Sequence, residues 1–399
     1  MITHARGTRR IRRSALGLAS AAVAMVMLAA CATPQPAAST TTARAVSRPA
    51  APEGDLPADL AAELQKTLDD TMAEYDVPGA AVGVWIPGEG SWTAVAGLAD
   101  VENDEPVTAD MQWPIRSITK SYTVTLILQL VDEGVISLDD TIDEYIDGIT
   151  DGDTITLREL ANMSSGNADY FTDEFVQDFF VDEPDRIFTI DELNGYVVGQ
   201  PAQFAPGTEH VYTNANTNLL GKVVEVATGE TFEDVISERI LEPLGQTRTR
   251  YITDVSTWTE PHALGYVPSD TGGRWDGQNP NLSALGPAGS MITSLDDARV
   301  WGEILATGAL LDAATQTERE QGAPLDAGPP YDEYALGMGR TDGWWGHNGE
   351  GLGFTAALFH DTTSGATIAV FFNLSNYVPK EHPADQLFRR LAEVVGRTR

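Results

Sequence analysis

Apolar residues recur every fourth position in LPADLAAELQKTLDDTMAEYD, where Leu56, Leu60, Leu64, Leu68 and Met72 fall on one face. That spacing predicts an amphipathic helix. The period then shortens: GAAVGVWIP and SWTAVAGLADV read as two strands joined by the glycine turn GEG. Near the other end GFTAALFHD and GATIAVFFNLS repeat the arrangement around TTSG, and PADQLFRRLAEVVG closes with a helix. Between these flanks the pattern turns helical, as in TITLRELANM and NTNLLGKVVEVATG. Strands at both ends with helices inserted between them predict one mixed α+β domain, an antiparallel sheet built from N- and C-terminal segments plus a helical lobe. A ligand is expected at the seam of two such lobes.

The first thirty residues differ in kind. MITHARGTRRIRRS carries Arg6, Arg9, Arg10, Arg12 and Arg13 without an acid, and the apolar run ALGLASAAVAMVMLAA follows. That run is too short for a comfortable membrane span and reads as an export signal. It ends in LAAC, Leu28 to Cys31, which resembles a bacterial lipobox, and Cys31 is the one cysteine of the chain. A thiol used once at that place suits lipidation, and a diacylated cysteine supplies the two chains that stable anchoring needs. The following stretch is rich in Pro, Ala, Ser and Thr, has no hydrophobic period and reads as an unfolded tether. The expected organisation is a lipoprotein signal peptide over 1–30, a tether over 31–55 and a folded domain over 56–399. The expected location is the outer face of the bacterial cell membrane, with membrane contact only through the lipid.

Composition narrows the function. With 42% apolar and 21% charged residues the chain is globular. A net charge of −34 repels nucleic acid and anionic lipid, so neither is an expected partner. The six histidines form no H-E-x-x-H, and one cysteine builds neither a disulfide nor a thiolate cage, so no metal or other cofactor is expected. Nothing in the sequence calls for an oligomer, and a monomer is the expected state.

The chain holds four lysines against twenty-one arginines, and one of the four, Lys120, follows Ser117 by three positions in WPIRSITKSYTVTLILQLVDEG. On a helix, positions i and i+3 face the same way, which brings hydroxyl and amine within reach. Serine needs a neighbouring base, and lysine serves when burial lowers its pKa, whereas arginine keeps its proton. Alone, S-x-x-K arises by chance in a chain of this composition, and Lys120 would then reach to solvent. Two further elements follow in order: Tyr212-Thr213-Asn214, and His347-Asn348-Gly349 immediately before a predicted strand. Taken singly, Tyr212 reads as a core aromatic, Asn214 as a turn former and His347 as a loop histidine. No G-x-S-x-G occurs, which removes the nucleophile-elbow hydrolases.

With S-x-x-K, Y-x-N and H-x-G in this order, the chain resembles the penicillin-recognising serine hydrolases. It is most similar to class C β-lactamases and the actinobacterial secreted D-alanyl-D-alanine carboxypeptidase type. Further segments carry the likeness from about residue 56 to the end, among them ITLRELANMSSGNADY, FAPGTEHVYTNANTNLLG and GPAGSMITSLDDARVW. The resemblance implies a β-lactamase/transpeptidase-like fold and an acyl-enzyme. It makes Ser117 the nucleophile, Lys120 its proton partner and Tyr212 a proton shuttle. Asn214 would hold Lys120 or the substrate amide. His347, where many relatives carry lysine, would give positive potential or a hydrogen bond on the far wall, with Asn348 and Gly349 beside the substrate. The backbone N–H groups of Ser117 and Glu350 would form the oxyanion hole. Asn348 replaces the usual threonine or serine, whose hydroxyl helps hold a substrate carboxylate.

The expected activity is that of a D-alanyl-D-alanine carboxypeptidase on peptidoglycan peptides. Hydrolysis of small esters or amides, D-aminopeptidase and β-lactamase action are the alternatives within the family. A non-catalytic wall-binding lipoprotein is the alternative of another class. In DYFTDEFVQDFFVDEPDRIF, Phe175 with Phe179 and Val176 with Phe180 have helical spacing and read as a packed face, with a substrate clamp as the other reading.

Overall fold

Valine, isoleucine and phenylalanine concentrate in the two end segments, and these are the centre of the sheet. The computed structural model describes residues 46–268, 274–277, 281–375 and 382–397. The signal peptide, Cys31 and the first part of the tether lie outside the described residues. Eight strands, β1 (Gly79–Ile86), β2 (Gly90–Asp100), β3 (Glu105–Pro106), β4 (Glu333–Tyr334), β5 (Gly339–Thr341), β6 (Trp344–Gly351), β7 (Phe354–Asp361) and β8 (Ala366–Phe372), form one sheet. Their order is β3-β2-β1-β8-β7-β6-β5-β4, with β1 joined to β8 across almost the whole chain. The register sets Ala80 against Phe372, Val82 against Val370 and Val84 against Ile368. Every described pairing in the sheet is antiparallel, as the end patterns predict.

Strands β1, β7 and β8 read as continuous apolar runs because both faces are covered. Alternate residues of β1, Ala80, Val82, Val84 and Ile86, share a core with Leu60, Leu64 and Leu68 of α1 (Ala58–Tyr75) and with Leu387, Phe388 and Leu391 of the C-terminal helix Pro383–Arg397. The opposite face, with Ala81, Trp85, Leu358 and Phe371, joins the core of the helical lobe. That lobe centres on α2 (Thr119–Asp132), buried on all sides from Thr119 to Leu128, and on α3 (Ala215–Thr228), which packs against it. The TITLRELANM pattern yields only a short helix, Leu157–Ala161, opened by a capping box between Thr156 and Glu159.

Two expectations change. Residues 46–55 are docked rather than free: Arg48 meets Asp296 at 2.6 Å and Asp297 at 2.8 Å, Arg299 donates to the Pro49 carbonyl, and Leu56 N–H donates to Ser91 O. The cause is a helix start: Asp296 and Asp297 lie in the first turn of α4 (Leu295–Thr307), where acids are favoured, and Arg48 is their cation. The third motif is itself part of a strand, β6, one turn ahead of the predicted strand, which is β7. Among the described residues no helix is long and apolar enough to cross a membrane.

Candidate active site

Ser117 sits in a tight helical turn, Arg116–Ile118, immediately before α2, and Lys120 follows in the first turn of α2. Arg116 adopts a left-handed φ of 52°, a strained conformation for a residue with a side chain, directly before the serine. Lys120 is wholly buried, and its Nζ has three neighbours: Ser117 Oγ at 3.1 Å, Asn214 Oδ1 at 2.7 Å and the Ala288 carbonyl at 2.9 Å. The two carbonyl oxygens only accept, so they take two N–H bonds. A neutral amine then has its lone pair left for the serine hydroxyl. Burial pushes the Lys120 amine down to about 7, against a partial upward pull from Asp169.

Asn214 stands at the start of α3 with its amide fixed from behind. Asp169 accepts from its backbone N–H at 3.3 Å and its Nδ2 at 3.1 Å, which turns Oδ1 toward Lys120. The remaining Asp169 oxygen accepts from Tyr170 N–H at 2.8 Å. Asp169 is the site residue that sequence reasoning missed. In a chain with fifty-nine acids a single aspartate has no distinguishing spacing, and its one signal is its place at the end of SSGNAD.

The Tyr212 ring lies 5.1 Å from Lys120 Nζ, and its buried hydroxyl faces Ser117 without a close hydrogen bond among the described residues. Burial pushes the phenol well above its ordinary range, with only a smaller downward pull from Ser117, so it stays protonated. Ser117, Lys120, Tyr212 and Asn214 are thus brought together.

The third motif closes the other wall. A Cβ on Gly349 would meet the Ile115 carbonyl at 2.4 Å, Arg116 Cβ at 2.8 Å and Ser117 N at 2.9 Å, so β6 reaches the serine turn only because this residue has no side chain. Glu350 follows and lines the cleft with Ser117. Of the two roles the resemblance implies for His347, positive potential or a hydrogen bond, its surroundings do not support the first. The residue is 0% exposed and hydrogen-bonds behind the strand to Tyr331 and Tyr334 at 3.1 and 3.2 Å. The Asn348 carbonyl beside Nδ1 accepts only, so Nδ1 carries the proton and Nε2 accepts from Tyr334. Burial and then Lys120 push the imidazole down to about 3, which keeps it neutral. The amide of Asn348 accepts from Tyr331 at 2.7 Å and points its Nδ2 at Asp385, 3.4 Å away.

Two cavities flank the serine, and both are lined by Ser117, Asn214 and Glu350. The first, about 450 Å³, is apolar, with Phe171, Phe175, Phe179 and Phe180 along one side and Leu285 and Leu352 opposite. In the segment from Asp169 to Phe188 the packed-face reading holds for one of its two pairs. Phe175 and Phe179 are a buried stacked pair, while Phe171 and Phe180 are exposed at 44% and 53% on the cavity rim. The chain here makes one α-helical turn, Asp173–Gln177, and then a wider π turn, Asp178–Asp182. The second cavity, about 560 Å³, is polar, with Tyr212, Asn348, His382 and Asp385 among its residues. Among the described residues no group of histidines, cysteines and acids is placed to hold a metal.

Comparison with known proteins finds relatives over most of the chain. The beta-lactamase family model matches residues 64–393. A D-aminopeptidase of Brucella anthropi is 28% identical over 306 residues, 75% of this chain; the chain spans 56% of that relative's length. A D-stereospecific amidohydrolase from Streptomyces sp. superposes with a TM-score of 0.72 at 27% identity, over 83% of this chain and 97% of that one. The D-amino acid amidase from Ochrobactrum anthropi SV3, solved with D-phenylalanine, gives 0.76 at 25% identity, over 86% of this chain and 100% of that one.

Proposed function

The chain belongs to the beta-lactamase family, and from that premise we propose a serine amidohydrolase that cleaves amides or short peptides of D-amino acids through an acyl-enzyme at Ser117. The observation that carries the reading is the Lys120 amine, saturated by two carbonyl oxygens with its lone pair left for Ser117 Oγ at 3.1 Å. Lys120 takes the hydroxyl proton as Oγ bonds to the substrate carbonyl carbon. The oxyanion is received by the backbone N–H groups of Ser117 and Glu350. As the C–N bond breaks, Tyr212 gives its proton to the leaving amine and is reprotonated from Lys120. Water then attacks the ester by the same route in reverse, releasing the D-amino acid and the free serine.

The amide reading is favoured over the expected carboxypeptidase by the polar cavity. Among its described lining residues Asn348 turns its donor to Asp385, and there is no lysine or arginine for a terminal carboxylate. The apolar cavity is suited to a side chain such as that of phenylalanine, and the amidase similar to this chain was solved with D-phenylalanine. The test is hydrolysis of D- and L-phenylalanine amide, D-alanine release from a D-alanyl-D-alanine peptide and mass-spectrometric mapping of a trapped acyl group. D-selective amide cleavage with the adduct on Ser117 is expected. An adduct elsewhere, or full turnover by Ser117→Ala, defeats the mechanism; efficient D-alanine release with an idle amide restores the carboxypeptidase. Lipid anchoring at Cys31 on the outer membrane face is a companion proposal carried by the sequence, and loss of radiolabelled palmitate in Cys31→Ala checks it.

A further inference from the structure

We propose that Asp169 is a positioning residue: by holding both N–H groups of Asn214 it locks that amide with its oxygen toward Lys120, and so aims the lysine lone pair at Ser117. The inference rests on the proposed acyl transfer and deepens it. An amide has two nearly equivalent orientations, and the partners decide between them. With Asp169 behind it, only the oxygen can face Lys120. A flipped amide would set N–H against the amine, which would then turn its own lone pair toward Asn214 and away from the serine. The groups facing Lys120 are Ser117 from the preceding turn, Asn214 and Tyr212 from the α3 entrance, Asp169 from its loop and His347 from β6. Asp169 is the charged one that opposes the effect of burial.

Scarce lysine makes this testable. In the full chain labelled with [13Cε]lysine there are four signals, and Lys120→Ala assigns one of them. Asp169→Asn is expected to lower the Lys120 midpoint by about one pH unit. It should also slow acylation by about tenfold or more, equally for D-phenylalanine amide and for p-nitrophenyl acetate, which has no amine to bind. In an Asn214→Ala background the same change should cost nothing further. Asp169→Glu, which keeps the carboxylate, should recover part of the rate. An unmoved lysine midpoint overturns the proposal. So does a loss confined to KM for the amide, which would make Asp169 an ammonium-binding group, or full additivity with Asn214→Ala. If the wild-type serine takes no acyl group, the hydrolase reading fails, while the lysine titration still judges Asp169.

Discussion

Replacing Lys120 by arginine keeps a cation in place and removes the lone pair. In the wild-type protein the amine ionises near pH 7, so the base form rises about tenfold per pH unit below that value and saturates above it. General-base assistance contributes about 10²–10⁴ in rate, equivalent to about 3–5 kcal/mol of barrier. Arginine stays protonated throughout that range, so Lys120→Arg should lose the whole factor. The site is also tight: Lys120 is 0% exposed and has three partners within 3.1 Å, so the larger guanidinium adds an overpacking cost of about 1–3 kcal/mol. Stopped-flow acylation between about pH 5.5 and 9, which brackets the Lys120 midpoint and stays below the ordinary lysine value near 10.4, separates the two effects when paired with thermal melts. The variant should be slow and flat with pH, whereas wild type should climb and level off near pH 8, about one unit past the midpoint. A variant that stays folded and acylates within about tenfold of wild type would refute the requirement for a deprotonated amine.

Gly349→Ala drives a methyl into the Ile115 and Ser117 backbone, so calorimetry should show a loss of about 1–3 kcal/mol together with slow acylation; an unchanged melt contradicts the close approach. Phe180→Ala, on the rim, should leave stability within about 0.5 kcal/mol yet raise KM for D-phenylalanine amide relative to D-alanine amide, whereas buried Phe175→Ala should cost about 3–5 kcal/mol. His347 binds its proton in the unfolded chain near 6.5 but in the fold only near 3, so the unfolded state holds more protons between these values. Its burial therefore costs nothing above pH 6.5, and stability falls as pH drops from there toward 3, by up to about 5 kcal/mol. His347→Gln should flatten that acid limb in urea titrations, and an identical limb would place the titrating group elsewhere.

The sheet was legible because its strands are covered on both faces and so read as unbroken apolar runs, as in GAAVGVWI and ATIAVFF. Ser117 and Lys120 were legible through their i, i+3 spacing, and Tyr212 with Asn214 through the order of the three motifs and the family resemblance it carries. What escaped is contact between distant segments. Asp169 reaches Asn214 from 45 positions away, and Tyr331 and Tyr334 enclose His347 through a strand pairing that no local period announces. The two roles implied for His347 could not be separated in sequence for a physical reason: an imidazole carries charge only if water or an acid supports it, and burial is invisible in the letters H-N-G. The tether was read as free through residue 55 because Arg48 shows no periodicity, although its carboxylate partners lie 248 and 249 positions on.

The phenylalanine rim is built on a peripheral excursion of the chain and not on the sheet or on α2. Its inner rings, Phe175 and Phe179, hold the excursion down, while Phe171 and Phe180 only border the void. On the proposed function, selectivity would be written in this excursion, which meets the reacting groups through Asp169 at its start. Phe180, eleven positions along the chain from Asp169, is then the outer ring to resize for a different acyl preference.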